Sequence, residues 1–151
     1  GVYVSILTAD CSPILIWSED RPVVAAVHSG WQGSELNILG QTILRIIQEY
    51  EISPASLSMV VGPGLNQENF EVGPEFDEKF QSEYFQAASV GDRKLFNNNS
   101  YLTDTALHNG IPAEQIEIMP FCSYRDENLF FSHRRDKGVT GRMMSLIGIK
   151  S

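Results

Sequence analysis

The chain has 151 residues, 42% hydrophobic and 20% charged, with a formal net charge of −8. That is one domain's length and an ordinary globular composition, and its acidic balance excludes broad nonspecific binding to nucleic acid or an anionic membrane, though not a local cationic pocket. No stretch reaches the ~18–20 apolar residues of a membrane span, and two cysteines, Cys11 and Cys122, are too few for a disulfide framework, so a reducing, cytoplasmic setting is expected.

Gly1–Leu7 alternates like a β-strand and leads into Thr8-Ala9-Asp10-Cys11. A natural protein can begin on a strand, but a chain that opens this way is also what a missing N-terminal part would leave, and an N-terminally truncated domain is the expectation. An exposed edge strand there could pair with a second copy, which makes a homo-oligomer one expected outcome. Two apolar runs, Pro13–Trp17 and Pro22–Val27, flank Ser18-Glu19-Asp20-Arg21 and read as a β-hairpin. With Ser18–Arg21 as the loop, Trp17 faces Pro22 and Cys11 faces His28. Opposed residues of an antiparallel pair have Cβ atoms ~5 Å apart, close enough for a thiolate and an imidazole to share a metal or a proton. The bland alternative is a buried apolar cysteine and a hydrogen-bonded core histidine. Asp10 before the cysteine, and Gly30 and Gly33 bracketing Trp31 after the histidine, favour a site, because sites are built at polar, glycine-rich strand ends.

Ser34 is expected to cap a helix whose stripe of Leu36, Leu39, Ile43, Ile46, Ile47 and Tyr50 faces the core. Gly40 within it marks close packing. Ser53-Pro54 ends the helix, and Leu57–Val61 is a short strand running into Gly62-Pro63-Gly64. That loop lacks the Lys-Ser/Thr of a P-loop and reads as a turn. A second helix is expected from Pro74, with Phe76, Phe80 and Tyr84 inward. Ala87–Asn99 reads as a surface loop, with Asn97 or Asn99 capping a helix to His108 that Asn109-Gly110 closes. Ile111–Met119 is a turn and strand, and Met143–Ile149 is a final strand. Between them, residues 134–142 hold four cations and one carboxylate. Arginines suit bidentate phosphate binding, so Arg134, Arg135 and Arg142 form a candidate anion site on charge grounds, against the alternative of a solvated basic loop. No repeat or linker divides residues 1–151, which read as a single domain.

Four motifs occur in order: Thr8-Ala9-Asp10-Cys11; Ala25-Ala26-Val27-His28-Ser29-Gly30-Trp31-Gln32-Gly33; Gly62-Pro63 with Phe70-Glu71-Val72-Gly73; and Phe130–Asp136 with Thr140-Gly141-Arg142-Met143. Together they resemble the YfiH family, also called the multicopper polyphenol oxidase or laccase-domain family. The resemblance implies an α+β fold, a mixed β-sheet sandwich flanked by helices. It implies a metal site, usually zinc rather than copper, made by two histidines and a cysteine. Cys11 matches the cysteine and His28 the second histidine. The family's first histidine lies in a Gln-Val-His segment before Thr-Ala-Asp-Cys, and this chain starts after that point. His108 and His133 are the only other histidines, and neither matches a motif position. Gln32 stands where the family usually has Arg, and Glu68-Asn69 where cysteines are common, departures that bear on substrate affinity.

The implied activities are phosphorolysis of purine nucleosides (adenosine, inosine, guanosine, methylthioadenosine) and adenosine deamination, with nucleoside and phosphate as partners. A zinc held by Cys11, His28 and a third ligand would lower the pKa of a bound water toward about 7, and Asp10 could orient a ligand or shuttle a proton. Three histidines are too few for a multicopper oxidase. Two other readings stay open. Cys11 activated by His28 would give a thiol hydrolase or deamidase, and a non-enzymatic metal-binding domain would use the same pair structurally.

Overall fold

The computed structural model describes residues 1–89 and 91–150, and Val90, in the expected surface loop, and Ser151 lie outside them. Strand β1 (Val2–Thr8) pairs antiparallel with the last strand, Met143–Ile149, along its whole length, from Val2 opposite Ile149 to Thr8 opposite Met143. Strands β2 (Ser12–Ser18), β3 (Val24–Ser29) and β4 (Leu57–Val61) form an antiparallel trio with β2 in the middle. A third small sheet is built from β5 (Glu71–Val72), β6 (Phe85–Ala87) and β7 (Lys94–Phe96), with β7 central. Strand β8 (Ile116–Ile118) extends the main sheet by pairing parallel to β4, and the final strand, Met143–Ile149, is β9. Helices α1 (Trp31–Glu35), α2 (Ile38–Tyr50) and α3 (Asn98–His108) complete this α+β fold.

The hairpin forms, but its register differs from the expected one. Trp17 pairs with Val24 and Pro13 with His28, and the Ser18 N–H donates to the Val23 carbonyl at 3.2 Å. The loop is therefore Glu19–Pro22, and Cys11 does not face His28 across a ladder. The reason is Pro22. It has no N–H to pair with Trp17, so it belongs in the turn. A two-residue shift keeps every side chain on its face, since strand side chains alternate with period two, and His28 therefore stays on the expected side of the sheet.

Ser34 is not a helix cap. Gly30 caps α1, and Asn37, in the left-handed region at φ 54°, caps α2 by accepting the Gly40 N–H at 3.2 Å. A β-carbon on Gly40 would sit 2.6 Å from both terminal atoms of Asn37, so a larger residue there would push the capping side chain aside. Leu39, Ile43 and Ile46 of α2 are buried against Ile14, Ile16, Leu57 and Met59 of the main sheet, while Leu36 and Tyr50 are exposed. Each large side chain fully buried in this way contributes about 1.5–3 kcal/mol.

The expected helix from Pro74 is two 3₁₀ turns, Pro74–Glu78 and Ser82–Tyr84. Its three aromatics are still inward, in a second core with Phe70, Val72 and Phe96. The two turns, separated by residues 79–81, still bury all three rings. The Ala87–Asn99 stretch is not all loop, since β7 lies inside it and Phe96 is fully buried. Tyr101 on α3 packs against both cores.

Candidate active site

One cleft of about 400 Å³ is lined by the β1–β2 junction, the end of β3 and the 133–142 segment. Drug-sized ligands occupy pockets of roughly 300–1,000 Å³. Cys11, His28, Asp10, Arg134 and Arg142 all line it, together with His133, Trp31 and Asn98. Arg135 and His108 do not.

Cys11 is half-buried just before β2, and its sulfur lies over Gly30. A β-carbon on Gly30 would come within 2.8 Å of Sγ, so this glycine is what lets the β3–α1 turn close on the thiol. Burial pushes the Cys11 thiol up, the adjacent Asp10 charge adds to this, and Arg142 opposes it. The neutral thiol is thus favoured, which argues against a free thiolate nucleophile. His28, near the end of β3, is exposed to the cleft.

Asp10 is buried, with backbone φ 85°. Its Oδ1 accepts from Ser123 Oγ at 2.7 Å and its Oδ2 from the Arg134 backbone N–H at 2.7 Å. Its carbonyl accepts the Leu65 N–H at 2.9 Å. Gly64 permits that approach, because a β-carbon there would lie 3.1 Å from the same carbonyl. The Gly62–Gly64 loop therefore serves close backbone packing beneath the cleft.

The three candidate arginines separate. All five N–H groups of Arg135 are committed inside the protein: to the carbonyls of Ser123, Tyr124 and Phe130, and twice to Asp136. Arg135 is a scaffold residue that ties its segment to residues 123–130. Arg134 and Arg142 each use only NH1, Arg134 on the carbonyls of Asn69 and Glu71, Arg142 on those of Thr140 and Gly141. Their Nε and NH2 groups have no protein partner among the described residues. Arg134 also lies over the Phe70 ring, 5.5 Å from its centroid, a contact that holds guanidinium groups in place.

Sequence reading did not find Asn98. It is buried at the first position of α3 and lines the cleft. Ser34 Oγ donates to its Oδ1 at 2.8 Å, and its Nδ2 donates to Ser12 Oγ at 3.0 Å. Ser34's one hydroxyl hydrogen is spent there, so Ser29 Oγ is the donor in the 3.0 Å Ser29–Ser34 bond. This buried chain joins β2, β3, α1 and α3 under the cleft floor. Its only sequence signal is the Asn97–Asn99 run, which reads as a helix start.

Cys11 and His28 are donors that zinc accepts, but a catalytic zinc takes three protein ligands. No group of three His, Cys, Asp or Glu side chains placed to hold a metal occurs among the described residues. His133 shares the cleft without completing such a group, and His108 is engaged at the end of α3, its Nδ1 2.7 Å from the Asp104 carbonyl. The pair alone is not a zinc site. Among the described residues, no helix is long and apolar enough to cross a membrane.

The chain is similar to known proteins along nearly its whole length. A protein described as "Purine nucleoside phosphorylase" from Bacteroides thetaiotaomicron is 32% identical over 155 residues, covering 99% of this chain and 57% of its own length. Purine nucleoside phosphorylase YfiH of Escherichia coli is 32% identical over 151 residues, covering 97% of this chain and 59% of its own. The chain thus spans somewhat over half the length of these curated relatives. The crystal structure of Bacillus licheniformis hypothetical protein YfiH matches 98% of this chain and 58% of its own, with TM-score 0.92 and 31% identity. YlmD from Geobacillus stearothermophilus matches 99% of this chain and 58% of its own, with TM-score 0.93 and 25% identity. The family model described as multi-copper polyphenol oxidoreductase laccase matches residues 1–150, and the chain belongs to that family, the YfiH-like proteins.

Proposed function

We propose that this cleft binds a purine nucleoside and inorganic phosphate and cleaves the glycosidic bond by phosphorolysis. The observation that carries the reading is the placement of Cys11 and His28 in one cleft with the unspent guanidinium edges of Arg134 and Arg142. The names of the similar proteins add support. Two guanidinium groups fixed through their NH1 atoms are suited to a phosphate, which accepts from planar forks. Phosphate held beside the ribose would be positioned to attack C1′ as the base departs, and His28, exposed to the cleft, is the group available to move a proton to or from the reactants. The exposed Trp31 indole, which lines the cleft, offers an apolar face to the base.

Zinc is the metal proposed for Cys11 and His28, with a third ligand that is not among the described side chains. Adenosine deamination is proposed as a second activity of the same cleft, with adenosine, inosine, guanosine and methylthioadenosine as the substrates to compare. The two free cysteines suit the cytoplasmic setting proposed for the enzyme. The reading is tested by incubating the protein with each nucleoside, with and without phosphate, and resolving the products. Phosphate-dependent release of free base and ribose 1-phosphate supports it. Base release that ignores phosphate refutes it. Inosine formed from adenosine measures the deamination separately, and metal analysis of the protein beside Cys11→Ala tests for zinc.

A further inference from the structure

We propose that Asp10 is a positioning residue that seats the Arg134 edge of the anion site, and that it does not act as an acid or base. The inference rests on the phosphorolytic reading above and assigns one of its parts. Both carboxylate oxygens of Asp10 are filled from within the protein, by Ser123 Oγ and by the Arg134 N–H, each at 2.7 Å. Each oxygen keeps a second acceptor site, but the two internal bonds fix the buried carboxylate in one orientation, tied to the protein's own donors. Its backbone sits at φ 85°, a left-handed conformation that is uncommon for a residue other than glycine. Such conformations persist where surrounding contacts over-determine them, and they cluster at functional sites.

Asp10 is the residue where four segments meet. It follows β1 and precedes Cys11, its carbonyl takes the Leu65 N–H, and its two oxygens hold Ser123 and Arg134. Three of those segments contribute directly to the cleft, through Cys11, Leu65 and Arg134. Arg134 is thereby fixed at both ends. Its main chain is bound by Asp10, and its guanidinium is bound through NH1 to the carbonyls of Asn69 and Glu71 and laid on the Phe70 ring. Releasing the main-chain end lets the free Nε and NH2 edge move away from the anion while leaving Cys11 and His28 in place. A displaced guanidinium edge loses its bidentate fit to phosphate, which weakens phosphate binding.

The test uses Asp10→Asn, which tolerates positive φ and keeps an acceptor for Ser123, and Asp10→Gly, which relieves the backbone while removing both bonds. The expected result is a KM for inorganic phosphate raised at least about tenfold, with kcat and the nucleoside KM changed by less than about threefold. Combined with Arg134→Ala, Asp10→Asn should add little, because Asp10 acts on phosphate only through the Arg134 guanidinium, which the alanine has already removed. A collapse of kcat with phosphate KM unchanged would make Asp10 an acid or base and overturn the inference. Wild-type phosphate kinetics in both variants would overturn it too, as would loss of folding in both, which would make Asp10 a determinant of the fold alone. Absence of phosphate-dependent base release by the unmodified protein is a different result: it removes the phosphorolytic reading itself, and the inference with it.

Discussion

At the scale of single residues, chemistry follows from how each group's hydrogen-bonding capacity is already spent. Arg135 and Arg142 lie in the same basic stretch, yet one has every N–H committed and the other only NH1. Arg135→Ala should therefore destabilise the protein by about 2 kcal/mol or more, since it orphans several carbonyls at once. Arg142→Ala should leave the melting temperature within a few degrees of wild type and weaken phosphate binding. Thermal melts and phosphate KM for the two variants separate these outcomes, and similar behaviour of both would contradict the assignment. Gly30→Ala is the complementary case. The added carbon meets only the mobile end of Cys11, so the expected stability change is small, about 1 kcal/mol or less. The thiol must move, however, and turnover should fall well below wild type. An active Gly30→Ala enzyme would show that Sγ need not sit where it does.

Tyr84 gives a residue-scale pH dependence. Its burial and the hydroxyl it donates to Asp104 at 3.0 Å push its pKa up, from the ordinary 10.0 to about 12. A raised folded pKa stabilises the fold fully below the unfolded value and is lost as pH rises through the folded one. Stability should thus hold to near pH 10 and decline toward pH 12, and Tyr84→Phe should remove this part of the alkaline loss. Chemical denaturation at several alkaline pH values checks this. Identical pH profiles for the two proteins would refute it.

At the scale of elements, local rules explain most of what the sequence revealed and what it hid. Strands β1, β4 and β9 were legible because their apolar runs are bounded by turn residues. The hairpin was legible too, but not its register, which depends on the one residue, Pro22, that cannot join the ladder. The α2 stripe was legible in Leu39, Ile43 and Ile46, whereas the true start of α2 depends on Asn37 taking up a left-handed conformation, which spacing does not show. Asn37→Ala should cost about 1 kcal/mol through the lost cap, a fall of about 2–4 °C in melting temperature for a chain of this size. No change in melting temperature would mean that the cap is dispensable. The candidate site was legible where a motif carries it, at Cys11 and His28. It was not legible at Asn98, because its partners Ser34 and Ser12 lie 64 and 86 residues away in sequence.

For the whole molecule, two cores meet at Tyr101, and the cleft lies where the β1–β2 junction, the end of β3 and the 133–142 segment converge. Both cores support the site: Phe70, which carries Arg134, belongs to the aromatic core, while Ile14 and Val27 beside the cleft strands belong to the main one. The account's central claim is tested most directly by one assay, phosphate-dependent conversion of inosine by the wild-type protein with Cys11→Ala and Arg142→Ala alongside. The account predicts hypoxanthine and ribose 1-phosphate from the wild type only when phosphate is present, a product yield near background from Cys11→Ala, and a raised phosphate requirement for Arg142→Ala. Hypoxanthine release that is independent of phosphate, or unchanged in Cys11→Ala, would contradict it.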